Sequence, residues 1–183
     1  QTANEDLDNV AKDYQFYLRE VRFYKNLAHK INVKTPRPYY VEHNAETEKV
    51  VLLLEYMDGW YNPDQIKGAS KQEIDVAIEG LIPISTQFWG TIKEIDWVPD
   101  MKEDYMLKLV DDMVEYQPEF LKRFGYLMND SRRGNLSKIV DYYPKFPEIF
   151  SNGLLTLAHW DYRVENLFFT PEVDDLTVID WQL

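Results

Sequence analysis

From Asn4 to Ile31 the apolar residues Leu7, Val10, Ala11, Tyr14, Tyr17, Leu18, Val21, Tyr24, Leu27, Ala28 and Ile31 recur at steps of three and four. That spacing predicts one long amphipathic helix. Thr35-Pro36-Arg37-Pro38 ends any helix and starts an extended segment. Tyr39–Glu42 and Val50–Glu55 then read as strands, and the polar stretch His43–Lys49 between them closes an antiparallel hairpin. Met57-Asp58-Gly59 is a turn in which Gly59 is free to take a positive φ.

Beyond the turn the period becomes helical. Ser70 caps a helix whose third residue is Glu73, the spacing of a capping box. Its expected apolar face is Ile74, Ala77, Ile78, Leu81, Ile84 and Phe88, with Gly80 and Pro83 weakening or kinking it. Asp104–Phe124 and Arg132–Phe150 read as two further helices, the second interrupted by Pro144 and Pro147. Leu154–Ala158, Leu167–Phe169 and Leu176–Ile179 are short apolar runs parted by loop residues and read as strands.

Composition removes several classes of function. A net charge of −12 repels phosphate backbones, so a nucleic-acid interface built on a basic patch is not expected. There is no cysteine, which excludes disulfides, Cys–zinc sites and a Cys nucleophile together and suits a reducing, cytoplasmic setting. No apolar run is long enough to span a bilayer, and the first residues are too acidic for a signal peptide. His29 and His43 have no metal-ligand spacing. Neither nucleic acid nor membrane is an expected partner, and oligomeric state is left open. A start at Gln1 and an end on Trp181-Gln182-Leu183 read as a fragment, inactive by itself.

The chemistry-bearing stretch is His159-Trp160-Asp161-Tyr162-Arg163-Val164-Glu165-Asn166, then Leu167-Phe168-Phe169 and later Ile179-Asp180-Trp181. In outline it is H-x-D-x-x-x-x-N, a strand, a turn, a second strand, and an Asp at that strand's end. Phosphoryl transfer needs a carboxylate to take the attacking hydroxyl's proton, which assigns Asp161 as the base. Mg²⁺ needs hard oxygen ligands that leave room for water and nucleotide phosphates, which assigns Asn166 and Asp180. Arg163 stands where it can stabilise charge on the transferring group, and His159 reads as a hydrogen-bonding brace of the loop rather than a catalyst.

These residues resemble the catalytic loop of protein kinases, H-R-D-x-x-x-x-N with a later D-F-G. They are closer to the aminoglycoside-phosphotransferase and choline-kinase-like families, in which H-G-D-x-x-x-x-N is followed by I-D-W, and closest to the ecdysteroid-kinase-like (CHK kinase-like) branch. The resemblance extends along nearly the whole chain. It implies that Arg19–Tyr24 belongs to a long N-lobe helix whose Glu20 pairs with a nucleotide-binding lysine. It also implies that Glu55, Tyr56 and Met57 form the hinge beside adenine. Trp160 departs from the family glycine. The glycine-rich loop and the lysine have no counterpart in the chain.

The resulting expectation is an α/β (α+β), protein-kinase-like two-lobed fold, incomplete at both ends. Residues 1–58 would be a partial N-lobe and 59–183 a partial, mainly helical C-lobe. The expected activity is transfer of the ATP γ-phosphoryl group to an alcohol with Mg²⁺. Two readings compete: a nucleotide-binding pseudokinase without turnover, and a helical interaction domain in which Asp161, Asn166 and Asp180 do not converge.

Overall fold

The computed structural model describes residues 15–47 and 49–181. Leu7, Val10, Ala11 and Tyr14 of the expected first helix, and Gln182 and Leu183, lie outside them. The chain is a mixed α+β fold with two small antiparallel sheets. It divides into two compact units, one of residues 1–98 with 156–183 and the other of residues 99–155.

In the first unit, helix α1 (Phe16–Asn26) buries Val21, Phe23 and Tyr24. The expected helix runs on to Ile31, but regular turns stop at Asn26. The N–H groups of both Leu27 and Ala28 donate to the Phe23 carbonyl, and the chain leaves through tight turns. Leu27 and Ile31 remain buried, so the apolar period is satisfied without helical backbone. Strands β1 (Pro38–Asn44) and β2 (Lys49–Leu54) form the expected hairpin, with Val41 opposite Leu52 and an irregularity between Pro38 and Tyr40.

Helix α2 (Lys71–Gln87) begins with the expected capping box. Ser70 Oγ accepts from the Glu73 N–H at 3.2 Å, and the Ser70 N–H donates to the Glu73 carboxylate at 2.5 Å. The helix continues through Pro83. Its inward face differs from the expected one. Ile84 is buried as expected and Ala77 and Phe88 are half-buried, but Ile74, Ile78 and Leu81 are exposed, whereas Glu73 is buried and Gly80 meets β4. A Cβ at Gly80 would stand 2.6 Å from Leu176 Cδ2, so the missing side chain is what lets helix and strand approach. Hydropathy alone misses that rotation, because the contact row contains a capping carboxylate and a glycine.

Strands β3 (Leu167–Phe169) and β4 (Leu176–Val178) pair antiparallel, Leu167 opposite Val178. Single bridges extend the pair on both sides, Lys34 to Thr177 and Tyr61 to Phe169. Leu154–Ala158 is not a strand: Thr156 Oγ1 bonds the Ser85 carbonyl and Leu157 is buried, but no neighbouring strand pairs with it among the described residues. Phe23, Phe169, Val178, Trp181 and Leu157 form the centre of this unit's core.

The second unit is helical. Helix α3 (Asp104–Phe124) has the expected bounds. The expected Arg132–Phe150 helix is divided into α4 (Asp130–Val140), a 3₁₀ turn at Tyr143–Lys145 and α5 (Phe146–Ser151). Pro144 and Pro147 each sit in a first turn, where no N–H is needed. No helix among the described residues is long and apolar enough to cross a membrane.

Candidate functional site

Every site residue singled out from the sequence lies in the first unit. The loop His159–Asn166 is held by backbone bonds from Asp161 N to His159 O (2.8 Å) and from Arg163 N to Asp161 O (2.9 Å). A third runs from Asn166 N to Arg163 O (2.9 Å) and closes a 3₁₀ turn over Val164–Asn166. Asn166 is buried and its Nδ2 donates to the Asp161 carbonyl at 2.9 Å and to Asp161 Oδ2 at 3.1 Å. Both partners only accept, so the amide nitrogen must face them and the amide oxygen faces the other way.

Asp180 is brought to the same place by backbone pairing. The Ile179 N–H donates to the Asn166 carbonyl at 3.0 Å, and His159 Nε2 meets the Ile179 carbonyl at 2.9 Å. A carbonyl only accepts, so Nε2 carries the hydrogen, and His159 is the brace that sequence reasoning assigned it. Burial holds the imidazole below its usual pKa, opposed by the Ile179 carbonyl and the Asp161 charge. Trp160 and Asp180, on either side of this contact, both have left-handed backbones, φ 65° and φ 64°. Trp160 stands where the resembling families have glycine, and its φ gives a physical reason for a glycine there.

Arg163 does not point away from the loop. Its Nε lies 3.3 Å from Asp161 Oδ2 and its Nη2 lies 3.6 Å from Glu165 Oε2. All three side chains are about half exposed, so these pairs are weak.

Glu20 on α1 lies close enough to Asp180 to feel its charge. Burial pushes its carboxyl up to about 7, and the charge of Asp180 adds to the effect. Tyr24, one turn along the same face, is 3% exposed and its hydroxyl has no hydrogen-bond partner among the described residues. Burial raises its pKa further from neutrality, with Glu20 and Asp180 contributing. Glu20 and Tyr24 therefore lie within reach of the Asp180 charge, and burial together with that charge raises both groups.

Glu55, Tyr56 and Met57 follow β2. The Glu55 N–H donates to the Arg37 carbonyl and its carboxylate accepts from the Arg37 N–H, so Glu55 closes the hairpin. Tyr56 is 86% exposed. Its carbonyl accepts from Asp58 N, and the Met57 carbonyl accepts from Trp60 N.

Among the described residues no group of three His, Cys, Asp or Glu side chains is arranged to hold a metal ion. Asn166 and Asp180 supply one amide oxygen and one carboxylate. Two hard oxygen donors are too few for an all-protein cage and are the kind that a divalent cation accepts alongside water.

Sequence reasoning gave no site role to Asn62, Tyr24 or Tyr162. Tyr162 Oη donates to the Ala77 carbonyl at 2.7 Å and moors the loop to α2. Asn62 Nδ2 reaches the carbonyls of Glu165 (2.6 Å), Val164 (3.2 Å) and Leu167 (3.5 Å). No local pattern announces such contacts, which join residues about a hundred positions apart. Comparison with protein-family models, with curated proteins and with solved structures finds no match to the chain.

Proposed function

We propose that this chain carries the catalytic loop of a small-molecule kinase with a protein-kinase-like two-lobed fold, of the aminoglycoside-phosphotransferase and CHK kinase-like kind. The reaction moves the γ-phosphoryl group of ATP to a hydroxyl of a small organic acceptor. The observation that carries this reading is the joining of Asp161, Asn166 and the Asp180 strand end by the Asn166–Asp161 and Ile179–Asn166 bonds.

On this reading Asp161 accepts the acceptor hydroxyl's proton from a position open to solvent, with its carboxylate aimed by the Asn166 amide. Arg163 exchanges its weak pairing with Asp161 and Glu165 for the transferring phosphoryl group. Asn166 Oδ1 and the Asp180 carboxylate hold Mg²⁺, which neutralises charge on the phosphates when bound. Glu20 pairs with the ammonium group of a nucleotide-binding lysine, and the electronegative grouping of Glu20, Tyr24 and Asp180 supports that role. The backbone of Glu55, Tyr56 and Met57 borders adenine.

The test is Mg²⁺-dependent ATP turnover by the full-length gene product over a panel of small alcohols, with Asp161→Ala alongside. Turnover that requires an alcohol and falls about a hundredfold or more in kcat in the variant is expected. Nucleotide binding with turnover untouched by Asp161→Ala removes the assignment of the base. A folded protein that binds no nucleotide sinks the kinase reading altogether.

A further inference from the structure

The turn that carries Asn166 cannot satisfy its own carbonyls. In the 3₁₀ segment Val164–Asn166 the Val164 carbonyl accepts from the Leu167 N–H and the Asn166 carbonyl from the Ile179 N–H, which leaves the Glu165 carbonyl with no backbone donor among the described residues. Asn62 supplies a donor there and also reaches the carbonyls beside it. One amide nitrogen with two hydrogens sits 2.6 Å from the Glu165 oxygen and 3.2 Å from the Val164 oxygen, and Leu167 O lies at the edge of reach at 3.5 Å. These three carbonyls bracket Asn166 on both sides.

Asn62 is itself held in register. Its neighbour Tyr61 exchanges two backbone bonds with Phe169, N to O at 3.0 Å and O to N at 2.8 Å. The Tyr61 hydroxyl donates to Glu73 at 2.8 Å, inside the capping box of α2. Tyr61 thus fixes the chain against β3, and Asn62 then reaches the turn immediately before that strand. The pair forms a two-point clamp between the segment after Met57 and the loop that ends at Asn166.

We propose that Asn62 is a positioning residue: its amide sets the Val164–Asn166 turn so that Asn166 directs its nitrogen to Asp161 and its oxygen to the metal. The role in metal binding rests on the kinase reading, whereas the clamp itself does not. Asn62 touches neither nucleotide nor metal in this scheme and acts only through Asn166.

Asn62→Asp keeps the shape of the side chain and replaces both donors with acceptors, so it opposes three carbonyl oxygens. Asn62→Ala removes the side chain and leaves the carbonyls to water. The first measurement is amide hydrogen exchange on the full-length protein, read at Asn166 and Ile179, with amides of α2 as the internal reference. Both variants are expected to speed exchange at the two loop amides by about tenfold or more while α2 is unchanged. The second is the Mg²⁺ concentration for half-maximal turnover, expected to rise about tenfold, the usual order for losing a residue that orients a metal ligand, with the KM for ATP within about twofold.

Unchanged exchange overturns the clamp. Faster exchange in an active enzyme whose Mg²⁺ dependence does not move shows a purely structural contact and overturns the positioning role. A wild-type protein without Mg²⁺-dependent turnover fails the kinase reading instead, and the exchange result then decides the clamp by itself.

Discussion

Phe23 and Trp181 stack face to face, with ring centroids 4.1 Å apart and planes 5° from parallel. Both are fully buried. The indole also meets the edge of His159 at 4.6 Å and donates its N–H to the Val178 carbonyl at 3.0 Å. One side chain therefore joins helix α1, the end of β4 and the loop of Asp161. It seats Asp180 between Glu20's helix and the His159 brace.

The stack should be visible in stability. Phe23→Leu keeps an apolar side chain but removes the parallel face, and is expected to cost about 1–2 kcal/mol. Trp181→Phe should cost a similar amount, since it also removes the donor to Val178. In the double variant the losses should be less than additive by about 0.5–1 kcal/mol, because the rings are direct neighbours. Denaturant titration of the four proteins measures this, and strict additivity would show that the stack contributes only its buried area.

The capping network at α2 offers a second measurement. Glu73 is buried yet accepts from the Ser70 N–H, which chiefly holds its pKa below the ordinary carboxylate value. Ser70→Ala should cost about 1 kcal/mol, the usual order for a lost N-cap. Glu73→Gln keeps part of the network and should cost less than Glu73→Ala, which also leaves the Tyr61 hydroxyl without its acceptor. Equal losses in the two Glu73 variants would contradict the hydrogen-bond account.

That network also shows what local sequence can carry. Ser70 and Glu73 announced the start of α2 because a capping box lies within four residues, and Asp104–Phe124 was legible from period alone. The spacing of Asp161, Asn166 and Asp180 was readable because short apolar runs frame it, with Asn166 just before one and Asp180 just after another. The inward face of α2 was legible at Ile84 but not at Glu73 and Gly80, because a carboxylate and a glycine carry no hydropathy signal. Leu157 is buried like a strand residue, but strands need partners and periodicity does not supply them. Asn62 and Tyr162 act on the loop across some hundred residues, and such contacts exist only after folding.

Trp160 tests backbone strain separately from chemistry. A bulky residue at φ 65° bears a cost of about 1–2 kcal/mol, and its side chain is 59% exposed and so recovers little by burial. Trp160→Gly should therefore be more stable than Trp160→Ala by about 1 kcal/mol, even after the greater unfolded-state freedom of glycine is counted. An alanine variant as stable as the glycine variant would mean that the loop relaxes once the indole is gone.

His159 contributes a pH dependence of known sign. Its folded pKa lies below the ordinary value of 6.5, first because of burial. The unfolded chain binds the proton more readily, so the contribution to stability is full above about pH 6.5 and is lost as pH falls through the folded value. In His159→Gln this part of the slope should vanish from denaturation midpoints measured between pH 7.5 and about pH 5. A slope equal to that of the wild type would place the acid sensitivity in other groups.

Glu20 should act in the opposite direction. Its folded pKa is raised from 4.5 to about 7 by burial and by Asp180, so the folded protein holds this proton more tightly than the unfolded chain. The stability it contributes is full below pH 4.5 and is lost as pH rises through 7, by at most about 3 kcal/mol. Glu20→Gln cannot ionise and should be more stable than wild type at pH 8 but not at pH 4.5, as read by thermal denaturation at the two values. Because His159 loses stability on acidification and Glu20 on alkalinisation, the two single variants separate contributions that partly cancel in the wild-type profile. If Glu20→Gln gains nothing at pH 8, the carboxylate is already compensated by a cation, which is the state the kinase reading assigns to it with its lysine in place.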